Sequence, residues 1–257
     1  EIGHLSGALR DMTGALYNRI EAIESFAADV AHELKNPLTS LRSAVETLPL
    51  AKNDTSRGRL LDVIQHDVKR LDRLISDISD ASRLDAELQR QESVAVDLKV
   101  LLETVVGMAQ DVRKDDKVSV TLAFERAQGA PADFMVTGHS SRLGQVVDNL
   151  VSNARSFSPE GGVVHVTCRR LKDGAEILVD DNGPGIRPDA LARIFERFYT
   201  DRPHQGFGQN SGLGLSISRQ IVEAHGGKIW AENRMVKDGA GVQKVAGARF
   251  VVRLPAG

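Results

Sequence analysis

Apolar residues fall at Ile2, Leu5, Leu9, Met12 and Leu16, a 3-4-3-4 spacing that reads as one seam of a coiled coil. Ile20 and Ile23 shift its phase, as a stutter does where it locally unwinds a supercoil; a signalling helix and an irregular helix pair both fit this. The helical period runs on through Phe26, Val30, Leu34, Leu38, Leu41, Val45 and Leu48, and breaks at Pro49 and Lys52-Asn53-Asp54-Thr55. Leu60, Ile64, Val68, Leu71, Ile75 and Ile78 then give a second helix one apolar stripe, and the short break predicts that the two helices lie antiparallel. A hairpin of two helices buries too little to stand alone. A second copy completing a four-helix bundle is therefore predicted, making the protein a homodimer.

After about Gln89 the period changes to alternation, over Val118 to Leu122, Val163 to Thr167, Ala175 to Val179 and Arg249 to Leu254. Helical segments lie between, around Leu143 to Phe157, Asp189 to Phe198 and Leu213 to Ala224, the last closed by Gly226-Gly227. The fold class expected is thus α plus α/β: a helical hairpin followed by an α/β sandwich whose sheet is covered by helices on one face.

Composition narrows the possible partners. A formal net charge of −2 over 257 residues, with basic residues scattered, gives no pull toward nucleic acid. The single cysteine, Cys168, lies in an alternating strand pattern, which excludes an intrachain disulfide and reads as a core residue. No apolar run approaches the ~20 residues that span a bilayer.

The segment Phe26 to Leu38 carries the first candidate chemistry. His32 sits about 200° from Val30 around the helix, facing away from the apolar stripe, with Asn36 and Thr39 within about 40° of it. Pro37 interrupts the backbone bonding beside it. A neutral imidazole is a competent nucleophile near pH 7, and the adjacent Glu33 could hold one ring N–H so that the other nitrogen presents its lone pair. Alone, this is also what a surface histidine on a bent helix looks like.

Three further clusters follow. Asn149 and Asn153 stand four apart on one helix face, where an amide oxygen can ligate Mg²⁺ that ATP phosphates also hold. Asp180-Asp181-Asn182-Gly183-Pro184-Gly185 ends a strand in carboxylates and glycines, suiting a backbone that approaches a base while Asp181 accepts from its exocyclic amine. Gly212-Leu213-Gly214 opens a helix with bare N–H groups, a phosphate site.

In this order the clusters resemble the histidine kinase family. His32 to Pro37 is similar to its H-box, Asn149 to Ala154 to its N-box, Asp181 to Gly185 to its G1 box, Ile194 to Tyr199 to its F-box and Gly212 to Leu215 to its G2 box. The resemblance spans about Ala22 to Pro255 and implies autophosphorylation of His32 from ATP-Mg²⁺, then transfer to an aspartate of a response regulator. It implies His32, Glu33 and Asn36 as catalytic, Asn36 as a residue for dephosphorylating the regulator, and Asn153 as the metal ligand. Asn149, Asn153, Phe157, Asp181, Gly183, Gly185, Arg197, Gly212, Leu213 and Gly214 are implied as nucleotide-binding. It further implies a coiled coil over residues 1–20, a dimerisation and phosphotransfer domain over 21–90 and an ATP-binding domain over 98–257, of the kind shared with gyrase-type and Hsp90-type ATPases. Glu1-Ile2-Gly3 with Leu5 is similar to the end of a HAMP-type linker, implying a cytoplasmic portion of a protein anchored in the bacterial inner membrane.

Some positions depart from the family pattern. Ser156 stands where a basic residue is common, with Arg155 next to it as a substitute by another route. His139 replaces the aspartate usual before the N-box helix, leaving Ser140 or Ser141 as alternative caps. Tyr199 to Gly212 reads as a lid over the nucleotide. An ATPase that hydrolyses ATP and a non-catalytic dimeric scaffold are the competing readings. Asn149, a poor base where such ATPases carry a carboxylate, weighs against the first, and intact His32, Asn153 and Asp181 weigh against the second.

Overall fold

The computed structural model describes residues 2–90, 93–112, 118–200, 211–237, 241 and 243–256. Helix α1 (Ile2–Thr47) runs unbroken through Pro37. A 3-10 turn at Leu48–Leu50 then leads into α2 (Asp54–Arg90). Asn53 starts α2 by accepting the Ser56 N–H on its side-chain oxygen at 2.7 Å, filling one of the unpaired donors of a first turn. Pro37, Ala44 and Leu74 are buried within the hairpin. Leu38 and Val45 on α1, and Leu61, Val68 and Ile75 on α2, recur at sevens and stay exposed in the single chain, as do Met12, Leu16, Ile20 and Ile23. The side chains of Ile2, Leu5 and Leu9, and with them the HAMP-like start, lie outside the described residues.

By its contacts the chain divides into two units, the first holding α1 and most of α2, the second Asp80–Arg202 and Gly212–Gly257. In the second unit β1 (Val94–Asp97) pairs with β3 (Met135–Gly138). The main sheet orders its strands β2-β4-β5-β7-β6, with β2 (Ser119–Arg126) parallel to β4 (Val163–Arg170) and all other neighbours antiparallel. The remaining strands are β5 (Gly174–Asp180), β6 (Lys228–Lys237) and β7 (Gln243–Pro255). Helices α3 (Leu98–Val112), α4 (Ser140–Phe157) and α5 (Gly214–Ala224) cover one face. Under them Val166, Val179, Cys168, Ile177, Val252 and Leu254 are essentially sealed from solvent. Burial above all pushes the Cys168 thiol up to about 12, so it is an inert core group.

The opposite face carries two rows of polar residues in register across five strands. One runs Thr121, His165, Asp180, Arg249, Glu232 and the other Glu125, Arg169, Glu176, Arg253, Lys228. Arg249 grips Asp180 bidentately, both bonds at 2.7 Å, Arg169 pairs with Glu125 at 2.9 Å, and Arg253 bonds Glu176. Between the rows Leu178 and Val251 are nonetheless buried, with Thr167 and Trp230 beside them in register.

Three expectations need correction. Asp189 to Phe198 is a chain of turns and no helix, with bonds alternating between three-residue and four-residue closures, such as Arg193 N–H to Ala190 O and Ile194 N–H to Ala190 O. Phe198 ends it at φ 60°, outside helical space. Neither Ser140 nor Ser141 caps α4: His139 occupies the N-cap and makes no side-chain cap bond. Arg155 does not reach outward toward a ligand. It is buried, and its guanidinium donates to the Ala109 carbonyl in the last turn of α3, where a cation complements the helix end.

Candidate active site

In the first unit His32 lies on the outer side of α1, its side chain 75% exposed. Lys35, Asn36, Thr39, Ser40 and Ser43 share its surroundings, as the helical spacing predicts. Glu33 Oε1 is 4.0 Å from His32 Nδ1, and Glu33 Oε2 accepts from Arg70 of α2 at 3.1 Å. The carboxylate therefore sits on the Nδ1 side of the ring, leaving Nε2 outward.

In the second unit Asp181 follows β5 and is buried. Its Oδ1 accepts both the Gly183 N–H at 2.8 Å and the Ala248 N–H at 2.9 Å, so Oδ2 is the atom left to accept from a ligand. Burial raises its carboxyl above the ordinary carboxylate range, against the lowering effect of those two bonds and of Arg234. The loop after it is clamped from β6. Asn233 accepts the Ile186 N–H and donates to the Ile186 carbonyl, each at 2.7 Å. Gly185 turns there at φ 79°, and a Cβ on it would lie 2.7 Å from Asn233 Oδ1 and 2.4 Å from Val245 Cγ1. Only glycine fits that turn.

The N-box and the G2 box are joined. Asn149 Nδ2 donates to the Gly214 carbonyl at 3.2 Å and to Ser218 Oγ at 3.3 Å. Both its donors are thereby engaged and Oδ1 remains as an acceptor. Asn153 follows one turn later, half-buried, and Phe157 ends α4 half-exposed. Gly212, at φ 76°, accepts the Phe198 N–H at 2.9 Å, and a Cβ on it would strike the Phe198 backbone at 2.8 Å. The F-box end thus seats the loop that opens α5. Leu213 is the N-cap of α5 and makes no side-chain cap bond, so the first-turn N–H groups from Gly214 have no side chain of Leu213 to satisfy them. Arg197 is exposed beside this turn. Residues 201–210, most of the expected lid, lie outside the described residues.

Sequence reasoning missed Arg70, Asn233 and Ser218, whose partners lie 37, 47 and 69 residues away. The His139–His225 link is of the same kind. His225 Nε2 accepts the N–H of the N-cap His139 at 3.0 Å and its Nδ1 bonds the Ile221 carbonyl at 2.7 Å, tying the start of α4 to the end of α5.

Comparison with known proteins gives the same division of labour. The His Kinase A (phospho-acceptor) domain family matches residues 22–87. The family of Histidine kinase-, DNA gyrase B-, and HSP90-like ATPases matches residues 138–257. Sensor protein ChvG of Rhizobium meliloti (strain 1021) is 60% identical over 262 residues, aligned to all of this chain and 44% of that protein. ChvG of Agrobacterium fabrum is 60% identical over 43% of its own length, so the chain spans less than half of these curated relatives. Among solved structures, histidine kinase ThkA in complex with response regulator TrrA aligns over 93% of this chain and 64% of that one, at 25% identity and TM-score 0.68. Full-length ShkA in complex with AMPPNP aligns over 89% of this chain and 45% of that one, at 26% identity and TM-score 0.57.

Proposed function

Because the chain belongs to the sensor histidine kinases, with their phospho-acceptor domain followed by their ATP-binding domain, we propose that it phosphorylates His32 from ATP and passes the phosphoryl group to an aspartate of a response regulator. The carrying observation is the exposed His32 with a carboxylate on its Nδ1 side. Nε2 attacks the γ-phosphorus in line as the bond to the β–γ bridging oxygen breaks, and ADP leaves with that electron pair. Glu33 offsets the positive charge growing on the ring by its place beside the Nδ1 proton. In the second unit Asp181 Oδ2 reads the exocyclic amine of adenine, Gly183 and Gly185 let the backbone approach the base, and Phe157 offers a stacking face. Gly212, Leu213 and Gly214 supply N–H groups to the phosphates, with Arg197 adding positive charge.

The oxygen donors of Asn153 and Asn149, one helical turn apart, fit a hard divalent ion shared with phosphates. Asn153 would hold Mg²⁺, which when bound shields the phosphate charge. No carboxylate stands at Asn149 to activate water, so bound ATP is kept for His32. Asn36, one turn beyond His32, is placed to orient a water toward a docked aspartyl phosphate. The ThkA–TrrA complex supports a regulator as the second partner. The apolar residues left exposed at heptad spacing on α1 and α2 support a homodimer. We divide the chain into a coiled coil over 1–20, the phosphotransfer domain over 21–90 and the ATP-binding domain over 98–257. The HAMP-like start supports a membrane-anchored parent protein.

The test is incubation with γ-labelled ATP and Mg²⁺, followed by acid and alkali. The wild type should carry a label that acid removes and alkali spares, and His32→Gln should carry none while binding ATP normally. Labelling that persists in His32→Gln would overturn the assignment.

A further inference from the structure

Consecutive residues on a helix point about 100° apart, so His32 and Glu33 do not face one another by default. A glutamate with three rotatable bonds and no anchor spends its time in water. Here Glu33 is held instead, its side chain 23% exposed and its two oxygens assigned to different neighbours. Oε2 is bonded to the Arg70 guanidinium at 3.1 Å and Oε1 is turned to His32 Nδ1 at 4.0 Å. Arg70 itself is 20% exposed and reaches Glu33 across the hairpin from α2. Asp67, one turn earlier on α2, is buried with its Oδ2 unpartnered, and Arg70 Nε is unpartnered too. A buried carboxylate oxygen without a bond is costly, and a cation one turn away lessens that cost. The hairpin interior therefore favours keeping the guanidinium inside, where Glu33 can use it.

We propose that Arg70 is a positioning residue for the phosphoryl acceptor. By fixing one oxygen of Glu33 it keeps the other facing Nδ1 of His32 from 4.0 Å, where its negative charge favours the proton on that nitrogen and leaves Nε2 as the nucleophile. This rests on His32 being the acceptor. A carboxylate facing one imidazole nitrogen favours the proton on it, whereas a free histidine side chain favours the proton on Nε2, the tautomer that cannot attack from that atom. Arg70 acts through Glu33, the partner it bonds across the hairpin.

The experiment uses the full chain with ¹⁵N-labelled histidine, at an alkaline pH where the ring is neutral, with His32→Gln to assign the signals. Wild type should show His32 mainly protonated at Nδ1, and Arg70→Gln should shift it toward Nε2. The same variant should lower the single-turnover rate of His32 phosphorylation at saturating ATP about 10-fold to 100-fold, with ATP affinity unchanged. Arg70→Lys, which keeps the charge without the fork, should recover part of both. In a Glu33→Gln background, Arg70→Gln should add no further loss, since the two act in series. If Arg70→Gln folds poorly, Arg70→Lys decides the matter, since it keeps the charge and should still shift the tautomer part of the way toward Nε2. Wild-type tautomer and rate in Arg70→Gln, a lost rate with the tautomer unmoved, or a full further loss on Glu33→Gln would each overturn the proposal. Absence of acid-labile label on the wild type would sink the kinase reading, while the tautomer measurement needs no ATP and stands apart from it.

Discussion

Asn233 behaves toward Ile186 as a neighbouring strand would, giving one bond and taking one, both at 2.7 Å. Asn233→Ala deletes the pair and leaves a half-buried peptide to water. At about 1 kcal/mol net for each bond the loss is about 2 kcal/mol. It has two places to appear. If the loop through Gly185 keeps its path in the free protein, the whole amount is lost folding stability, and the ATP-binding unit should melt about 4–8 °C lower. If the loop loosens in the free protein and is restored by nucleotide, the restoration draws on binding, and the Kd for ADP should rise about 30-fold. Scanning calorimetry and titration calorimetry on one preparation measure both shares, which should total about 2 kcal/mol. Asn233→Asp is the sharper variant, because it keeps the acceptor for the Ile186 N–H and sets an anion against the Ile186 carbonyl. It should cost at least as much as alanine. Wild-type melting and wild-type affinity in both variants would refute the clamp.

Asp181→Asn keeps an oxygen for the Gly183 and Ala248 N–H groups but can turn an amide donor toward the donor of adenine; titration calorimetry should show ATP affinity lower by about 10-fold to 100-fold. His225 is held below its ordinary 6.5, chiefly by burial. Unfolded chains therefore take up a proton near 6.5 that the folded unit refuses until lower pH, and stability falls as pH drops through that window. His225→Gln should flatten the acid side of the curve of melting temperature against pH, and an unchanged slope would exclude the histidine as its source. Asn36→Ala should leave His32 phosphorylation largely intact but slow decay of the regulator's aspartyl phosphate when ADP is added; equal collapse of both activities would make Asn36 a structural residue.

The parts of this protein that could be read from the chain are those whose signal is local. The α1 and α2 stripes, the strands through Val166, Ile177 and Val252, and the Gly226 turn that closes α5 at φ 67° each declare themselves within about ten residues. Helix α3 was legible and overlooked: Leu98, Leu101, Leu102, Val105 and Val106 follow the helical period, and Leu98, Leu102 and Val106 are buried. Strands β1 and β3 are four residues each, too short to show alternation. The Asp189 to Phe198 segment misled because its apolar spacing is helical while its bonds close as turns. Within the site, the acceptor and the nucleotide motifs were visible as residue types. Their supports were not, since Arg70, Asn233 and the His139–His225 link are ordinary residues made important by partners far along the chain.

The ionic rows across the outer face of the sheet have a consequence for how such a protein works. An exposed sheet face usually invites a second layer, because half of its side chains are apolar and unburied. Here Leu178 and Val251 on that face are already buried, and Arg249 and Arg253 hold their charges against Asp180 and Glu176, so the face has little left to gain by sticking to anything. An ATP-binding unit whose sheet is covered by helices on one face and salt-linked on the other keeps that second face from adhering. A chemistry that places donor and acceptor on separate bodies needs its carrier to arrive, react and depart. Neutralising one row, for instance with Arg253→Leu and Glu176→Leu together, would turn a self-contained shuttle into a body with a sticky side, slowing turnover without touching a residue of the site.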